Sequence, residues 1–118
     1  MNIPRIGFAI LLAMAAQAAT PAVQMEITHL LDGLKKSGCK FERNGTWYEA
    51  PEAADHLTKK RDYYASKGKI NSTEDFIEVA ASESMISSKP YKVACPDLPE
   101  VESKVWLEAK LKELRSKK

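Results

Sequence analysis

Cys39 and Cys95 are the only cysteines in the chain, and their surroundings constrain the fold more than any other feature. Cys39 opens the run Cys39-Lys40-Phe41-Glu42-Arg43, which leads through Asn44-Gly45 into Thr46-Trp47-Tyr48-Glu49. Two β-prone runs joined by Asn-Gly signal a hairpin, because both residues of its tight turn need positive φ. A two-residue turn sets the register: Arg43 faces Thr46, Glu42 faces Trp47, Phe41 faces Tyr48, and Lys40 faces Glu49. Cys95 ends Tyr91-Lys92-Val93-Ala94-Cys95, which alternates like a strand. Laid antiparallel beside the first strand, it brings Cys95 to Cys39, Val93 to Phe41, and Tyr91 toward Arg43. Disulfide and alternation agree on a three-stranded antiparallel sheet built from the hairpin 39–49 and the strand 91–95.

Whether the cysteines join depends on compartment, and the start of the chain addresses that. Arg5 precedes an apolar run from Ile6 to Ala16, followed by Ala16-Gln17-Ala18, where a signal peptidase could cut. These are the parts of a secretory signal. The run is shorter than the about 20 residues that span a bilayer. The reading is therefore a signal peptide over 1–18 and a single α+β domain over 19–118, periplasmic or secreted. No second apolar run of spanning length follows, so no transmembrane segment is expected in the mature chain. Export to an oxidising compartment makes a structural disulfide the expected state of Cys39 and Cys95. The loop it closes is worth about 4 kcal/mol in the chain-entropy model.

About four helices should pack on the sheet. Thr20 and Pro21 form the N-cap and first position of one helix, with Val23, Ile27, Leu30, Leu31 and Leu34 as its apolar stripe and Gly38 as its stop. Pro51 starts a second, reaching about Lys67, with a thin apolar face of Ala53, Ala54, Leu57 and Tyr64. The remainder, including Lys59, Lys60 and Arg61, reads as a solvated helix face. A third begins near Ser72, with Asp75 in a capping-box-like position and Phe76, Ile77, Ala80 and Ala81 buried. A fourth runs from about Val101 to Arg115 on Leu107, Leu111 and Leu114.

Composition excludes more than it identifies. The chain has 118 residues, with 18 Lys and Arg against 16 Asp and Glu, a balance too even for a nucleic-acid partner. Two Cys and two His do not make a Cys/His zinc site, and no residue pattern calls for a metal or cofactor. No G-x-S-x-G elbow is present, so the serines at helix ends read first as caps and turns. The hairpin register puts Trp47 on the face opposite Phe41 and Tyr48. It is then either an exposed anchor for a partner or covered by the last helix, with Trp106 nearby.

The order of the pieces resembles an uncharacterised family of small exported bacterial proteins, a domain of unknown function. The shared pieces are Cys39-x-Phe41-x-Arg43-Asn44-Gly45, Ala53-Ala54-x-His56-Leu57-x-x-Lys60, Asp75-Phe76-Ile77, Ala81-Ser82-x-Ser84, Lys89-Pro90-Tyr91 and Trp106-Leu107. The resemblance implies bacterial export and supplies no activity. The pieces suggest that His56, Lys60, Ser82, Ser84 and Tyr91 gather where the second helix, the end of the third and the last strand meet. A hydrogen-bond network that fixes this junction is one reading, and a site for a ligand or partner is the other. The first functional expectation is a non-enzymatic interaction or inhibitor-type protein acting on another envelope protein, with Trp47 as its anchor. A small hydrolase using His56 with Ser82 or Ser84 is the alternative, and an anion binder using Lys60 and Arg61 is a third.

Overall fold

The structure is a computed structural model that describes residues 19–117; the signal peptide expected over 1–18 lies outside the described residues. Helix α1 (Pro21–Lys35) begins as its sequence requires: the Thr20 hydroxyl accepts the Val23 N–H, and Pro21 occupies the first turn, where a missing donor matters least. Ile27, Leu30, Leu31 and Leu34 are buried along one side. Gly38 takes a φ of 74° and turns the chain into the sheet.

Strands β1 (Lys40–Arg43) and β2 (Thr46–Glu49) form the hairpin in the expected register. Asn44 and Gly45 at its tip both have positive φ, 52° and 85°. Strand β3 (Lys92–Ala94) lies antiparallel to β1 with Phe41 opposite Val93, and the Cys39–Cys95 disulfide is formed. The sheet has a fourth strand, β4 (Val101–Glu102), and its order is β2-β1-β3-β4. The last helix, α4 (Ser103–Ser116), therefore starts two residues later than its sequence suggests. Two residues are too few to show an alternation. Their pairing is set by tertiary neighbours: Val101 lies opposite Val93 and Glu102 opposite Lys92.

Helix α2 (Ala50–Ser66) follows β2 without a loop, and α3 (Thr73–Ala80) is capped by Ser72, whose hydroxyl accepts the Asp75 N–H. The Asp75 carboxylate accepts the N–H of Asn71, one residue before the cap, in place of the Ser72 N–H that a capping box would use. The helices cover the sheet face that carries Phe41 and Val93, and these two side chains join Ile27, Leu34, Leu57, Phe76, Ile77 and Leu107 in one core. Successive strand residues point to opposite faces. Glu42, Trp47 and Lys92 accordingly lie on the other face, and Trp47 is 41% exposed. Trp106 instead packs on the core, with the Lys110 ammonium 5.3 Å from its ring centre. The solvated-face reading of α2 fails at one residue. Lys60 lies three positions beyond Leu57 on the inward stripe and is 4% exposed. No described helix is long and apolar enough to cross a membrane.

Candidate functional site

The second helix, the segment after α3 and the start of β3 meet as the motif pieces suggested. Tyr91, 1% exposed, is the centre. Its N–H donates to the Ser82 carbonyl and its own carbonyl accepts the Ser103 N–H, so its backbone is tied to the segment after α3 and to the start of α4 at once. Its ring stacks at a tilt on Phe41 with centroids 5.0 Å apart. Its hydroxyl oxygen lies 2.9 Å from Lys60 Nζ and 3.2 Å from His56 Nε2. Lys60 carries only donors, so Tyr91 accepts from it and has one proton left to give. The same hydroxyl shares a hydrogen bond with His56 Nε2, whose direction follows the imidazole tautomer, and burial among cations keeps that ring neutral. A second Lys60 N–H goes to the Glu83 carbonyl at 2.8 Å. Lys60 Nζ is 4.7 Å from the Tyr91 ring centroid. With the hydroxyl much closer, the contact is chiefly a hydrogen bond to oxygen.

The electrostatics follow from burial among cations. His56 is lowered from 6.5 to about 4, first by burial and then by Arg43, Lys60 and Lys59. Lys60 is lowered from 10.5 to about 8 by burial, with Glu83 opposing and Arg43 adding to the shift. Burial raises the Tyr91 phenol to about 12, so it stays protonated. Beside His56 opens a cleft of about 280 Å³ between β1, β2 and α2, lined by Arg43, Tyr48, Glu52, Asp55 and Lys59 among others. Arg43 donates to the Tyr48 hydroxyl at 3.2 Å and lies 5.0 Å from its ring centre.

The serines are close by but face elsewhere. Ser82 Oγ donates to the Ile77 carbonyl at 2.6 Å and finishes α3. Ser84 Oγ accepts from Asn44 Nδ2, Ile86 N–H and Ser87 N–H. His56 bonds to Tyr91, not to a serine. Arg61 pairs with its neighbour Asp62 at 3.0 Å, while Lys60 points into the core. Lys60 and Arg61 therefore do not form one cationic surface, because adjacent helix residues point in different directions. Trp47 stands apart from the cluster, on the outer sheet face. Among the described residues no group of three His, Cys, Asp or Glu side chains could hold a metal ion.

Two participants escaped the sequence reading. Arg43 and Asn44 were visible as strand end and turn, but their side chains carry more: Arg43 lines the cleft, and Asn44 bonds to Ser84 and Ser87. The signal available was an Asn-Gly turn that needs positive φ but not that particular side chain. A larger groove of about 610 Å³ lies elsewhere, beside the disulfide and between α1 and α4, with Leu30, Leu98, Trp106 and Leu114 in its lining.

The fold and the cluster define a small disulfide-closed α+β domain with a buried Lys–Tyr–His network. The chain belongs to a family of unknown function, DUF5329, whose model matches residues 21–115. It is similar to the uncharacterized protein YfeK of Salmonella typhimurium (strain LT2), 35% identical over 85 residues that cover 70% of this chain and 69% of that protein. No solved structure matches it.

Proposed function

We propose that the protein is exported and works by holding another envelope protein at the hairpin end of its sheet, without catalysing a reaction. The leader-like start of the chain and the disulfide support export. The observation that carries the binding role is the loop 84–88. It presents Met85 and Ile86 at 54% and 90% exposure. Its frame is nonetheless tightly tied: Ser88 N–H to the Ser84 carbonyl, Ser84 N–H to the Lys89 carbonyl, and Asn44 to both Ser84 and Ser87. Apolar side chains on a frame already ordered lose little further entropy on docking. Trp47 lies three residues beyond Asn44 and adds an exposed aromatic on the same hairpin. The closed turn at 84–88 differs from the extended segment that adds to a sheet edge, which favours a socket on the partner over a strand-like groove. The serine hydroxyls near His56 are engaged by the Ile77 carbonyl, by the Asn44 amide and by the Ile86 and Ser87 N–H groups, which weighs against hydrolysis.

Affinity capture from an envelope extract tests the reading, with wild type, Ile86→Ser, Trp47→Ala and Tyr63→Ala compared. Tyr63 is an aromatic of similar exposure on α2. The expected result is one envelope protein held by wild type and Tyr63→Ala, lost with Ile86→Ser and weakened with Trp47→Ala. Equal recovery by all four proteins would overturn the hairpin-end surface.

A further inference from the structure

The cleft beside His56 has a charge pattern that the docking role does not use. Glu52, Asp55, His56 and Lys59 follow one another at helical spacing and share one face of α2. The acids stand nearer the start of the helix. Lys59 lies about 10 Å further along the axis from Glu52, at 1.5 Å rise per residue. Arg43 enters from the end of β1. None of Arg43, Glu52, Asp55 and Lys59 forms an ion pair with a described residue, although charged side chains pair repeatedly elsewhere on this surface. Asp55 and Lys59, one helical turn apart, are placed to pair and do not. His56 spends Nε2 on Tyr91, and its other ring nitrogen, Nδ1, has no protein partner among the described residues.

A cleft that is cationic at one end and anionic at the other, with an unpartnered imidazole nitrogen beside it, is complementary to a molecule that carries both charges. Its volume of about 280 Å³ falls below the range of drug-sized pockets, so that molecule is small. We propose that the cleft binds a zwitterion, a free amino acid or dipeptide. Its carboxylate meets Arg43 and Lys59 beside the His56 ring, and its ammonium meets Glu52 and Asp55. Arg43 is steadied by Tyr48, and His56 by the Tyr91–Lys60 pair behind it, so the anion end is ordered before a ligand arrives. The site is independent of the hairpin-end surface and stands or falls without it.

The test is a titration of residues 19–118, followed by the His56 imidazole resonances, at constant ionic strength. The probes are the common amino acids and glycylglycine, with acetate, ethylammonium and inorganic phosphate as single-charge comparisons. The expected result is saturable binding of at least one zwitterion, with its Kd raised tenfold or more by Glu52→Gln and by Arg43→Gln. Glu52 is exposed, so its substitution leaves the fold in place. Three results would overturn the proposal: no zwitterion saturates; acetate or phosphate binds as tightly as the best zwitterion; or Glu52→Gln leaves the affinity unchanged.

Discussion

Two clusters of polar side chains are drawn out of water in this fold, and they treat charge in opposite ways. Between α1, α3 and α4, the buried Glu26 carboxylate takes two N–H groups from Arg115, each at 3.0 Å, and the Thr73 hydroxyl at 2.6 Å. The rest of the guanidinium reaches Glu74. Between β1, α2 and the start of β3, Lys60 is buried with a backbone carbonyl and a phenol as acceptors. No described carboxylate lies within ion-pair distance of it. The first cluster is a joint: it pairs opposite charges through a planar fork and ties three helices together. The second leaves a cation desolvated among neutral dipoles, where an apolar side chain of similar size would serve stability as well. It also borders a cleft with unpaired charges. Charge pairing thus separates the joint that ties the helices from the cluster that borders unpaired charges.

The largest effect should come from the disulfide. Its loop joins residues 56 positions apart and encloses His56, Lys60 and Tyr91, while Glu26 and Arg115 lie outside it. Reduction, or Cys39→Ala with Cys95→Ala, should cost about 4 kcal/mol. Hydrogen exchange should speed up in α2 and β3 before it does in α1 and α4. Earlier loss of protection in α1 and α4 would break the distinction between the two regions.

Paired substitutions test the distinction directly. Arg115→Met leaves the Glu26 carboxylate buried without its guanidinium. Breaking a fully buried pair costs about 3–5 kcal/mol. Arg115 is 43% exposed, which lowers the expectation to about 2 kcal/mol. Lys60→Met removes an unpaired cation, leaves the Tyr91 hydroxyl its bond to His56, and gives up the bond to the carbonyl of Glu83, an exposed residue where water can replace it, so stability should stay within about 1 kcal/mol of wild type. Denaturant midpoints measure both. The reverse order would make Lys60 a structural residue.

The sheet was legible because its signals are local and redundant. Asn44-Gly45 sets one register, and the disulfide with the Phe41–Val93 alternation sets the other. The helix caps at Thr20 and Ser72 were legible for the same reason. The meeting of His56, Lys60 and Tyr91 could be foreseen from the motif pieces, but not the direction of each side chain. Ser82 and Ser84 looked like partners of His56 because they are near it. Their hydroxyls are engaged by Ile77, by the 84–88 loop and by Asn44 from the hairpin tip, which depends on backbone geometry that spacing does not encode. Glu26 and Arg115 lie 89 positions apart, each unremarkable on its own helix, and only the packing of α1 against α4 joins them.

Acid should reach the two clusters in different ranges. The folded-state pKa of His56 is about 4, below its ordinary 6.5, so the unfolded chain binds the extra proton between those values. Its contribution is complete above pH 6.5 and is lost as pH falls toward 4. We expect about 1–2 kcal/mol, discounted because solvent reaches part of the ring. Glu74 is held below the carboxylate range, first by its hydrogen bond to Arg115. Its contribution is present above its ordinary 4.5 and declines only below that. Stability measured from pH 7 to 4.5 should therefore fall in wild type and stay flatter in His56→Gln. Identical slopes would show that the imidazole is not held neutral by its surroundings.

The smallest effect should lie at the solvent-exposed edge of the joint. Glu74 meets Arg115 at 2.7 Å and 3.2 Å, but its side chain is 60% exposed. An exposed pair of this kind contributes about 0.2–1 kcal/mol. Glu74→Gln should cost no more than that at low salt, and the difference should shrink toward zero at 1 M salt, where screening acts over about 3 Å. Arg115→Met should remain destabilising at the same salt, because the Glu26 carboxylate stays buried whatever the solution contains. If salt instead removed the effects of both substitutions, Glu26 would be balanced by mobile ions. The joint would then be no better shielded from water than the cleft beside His56.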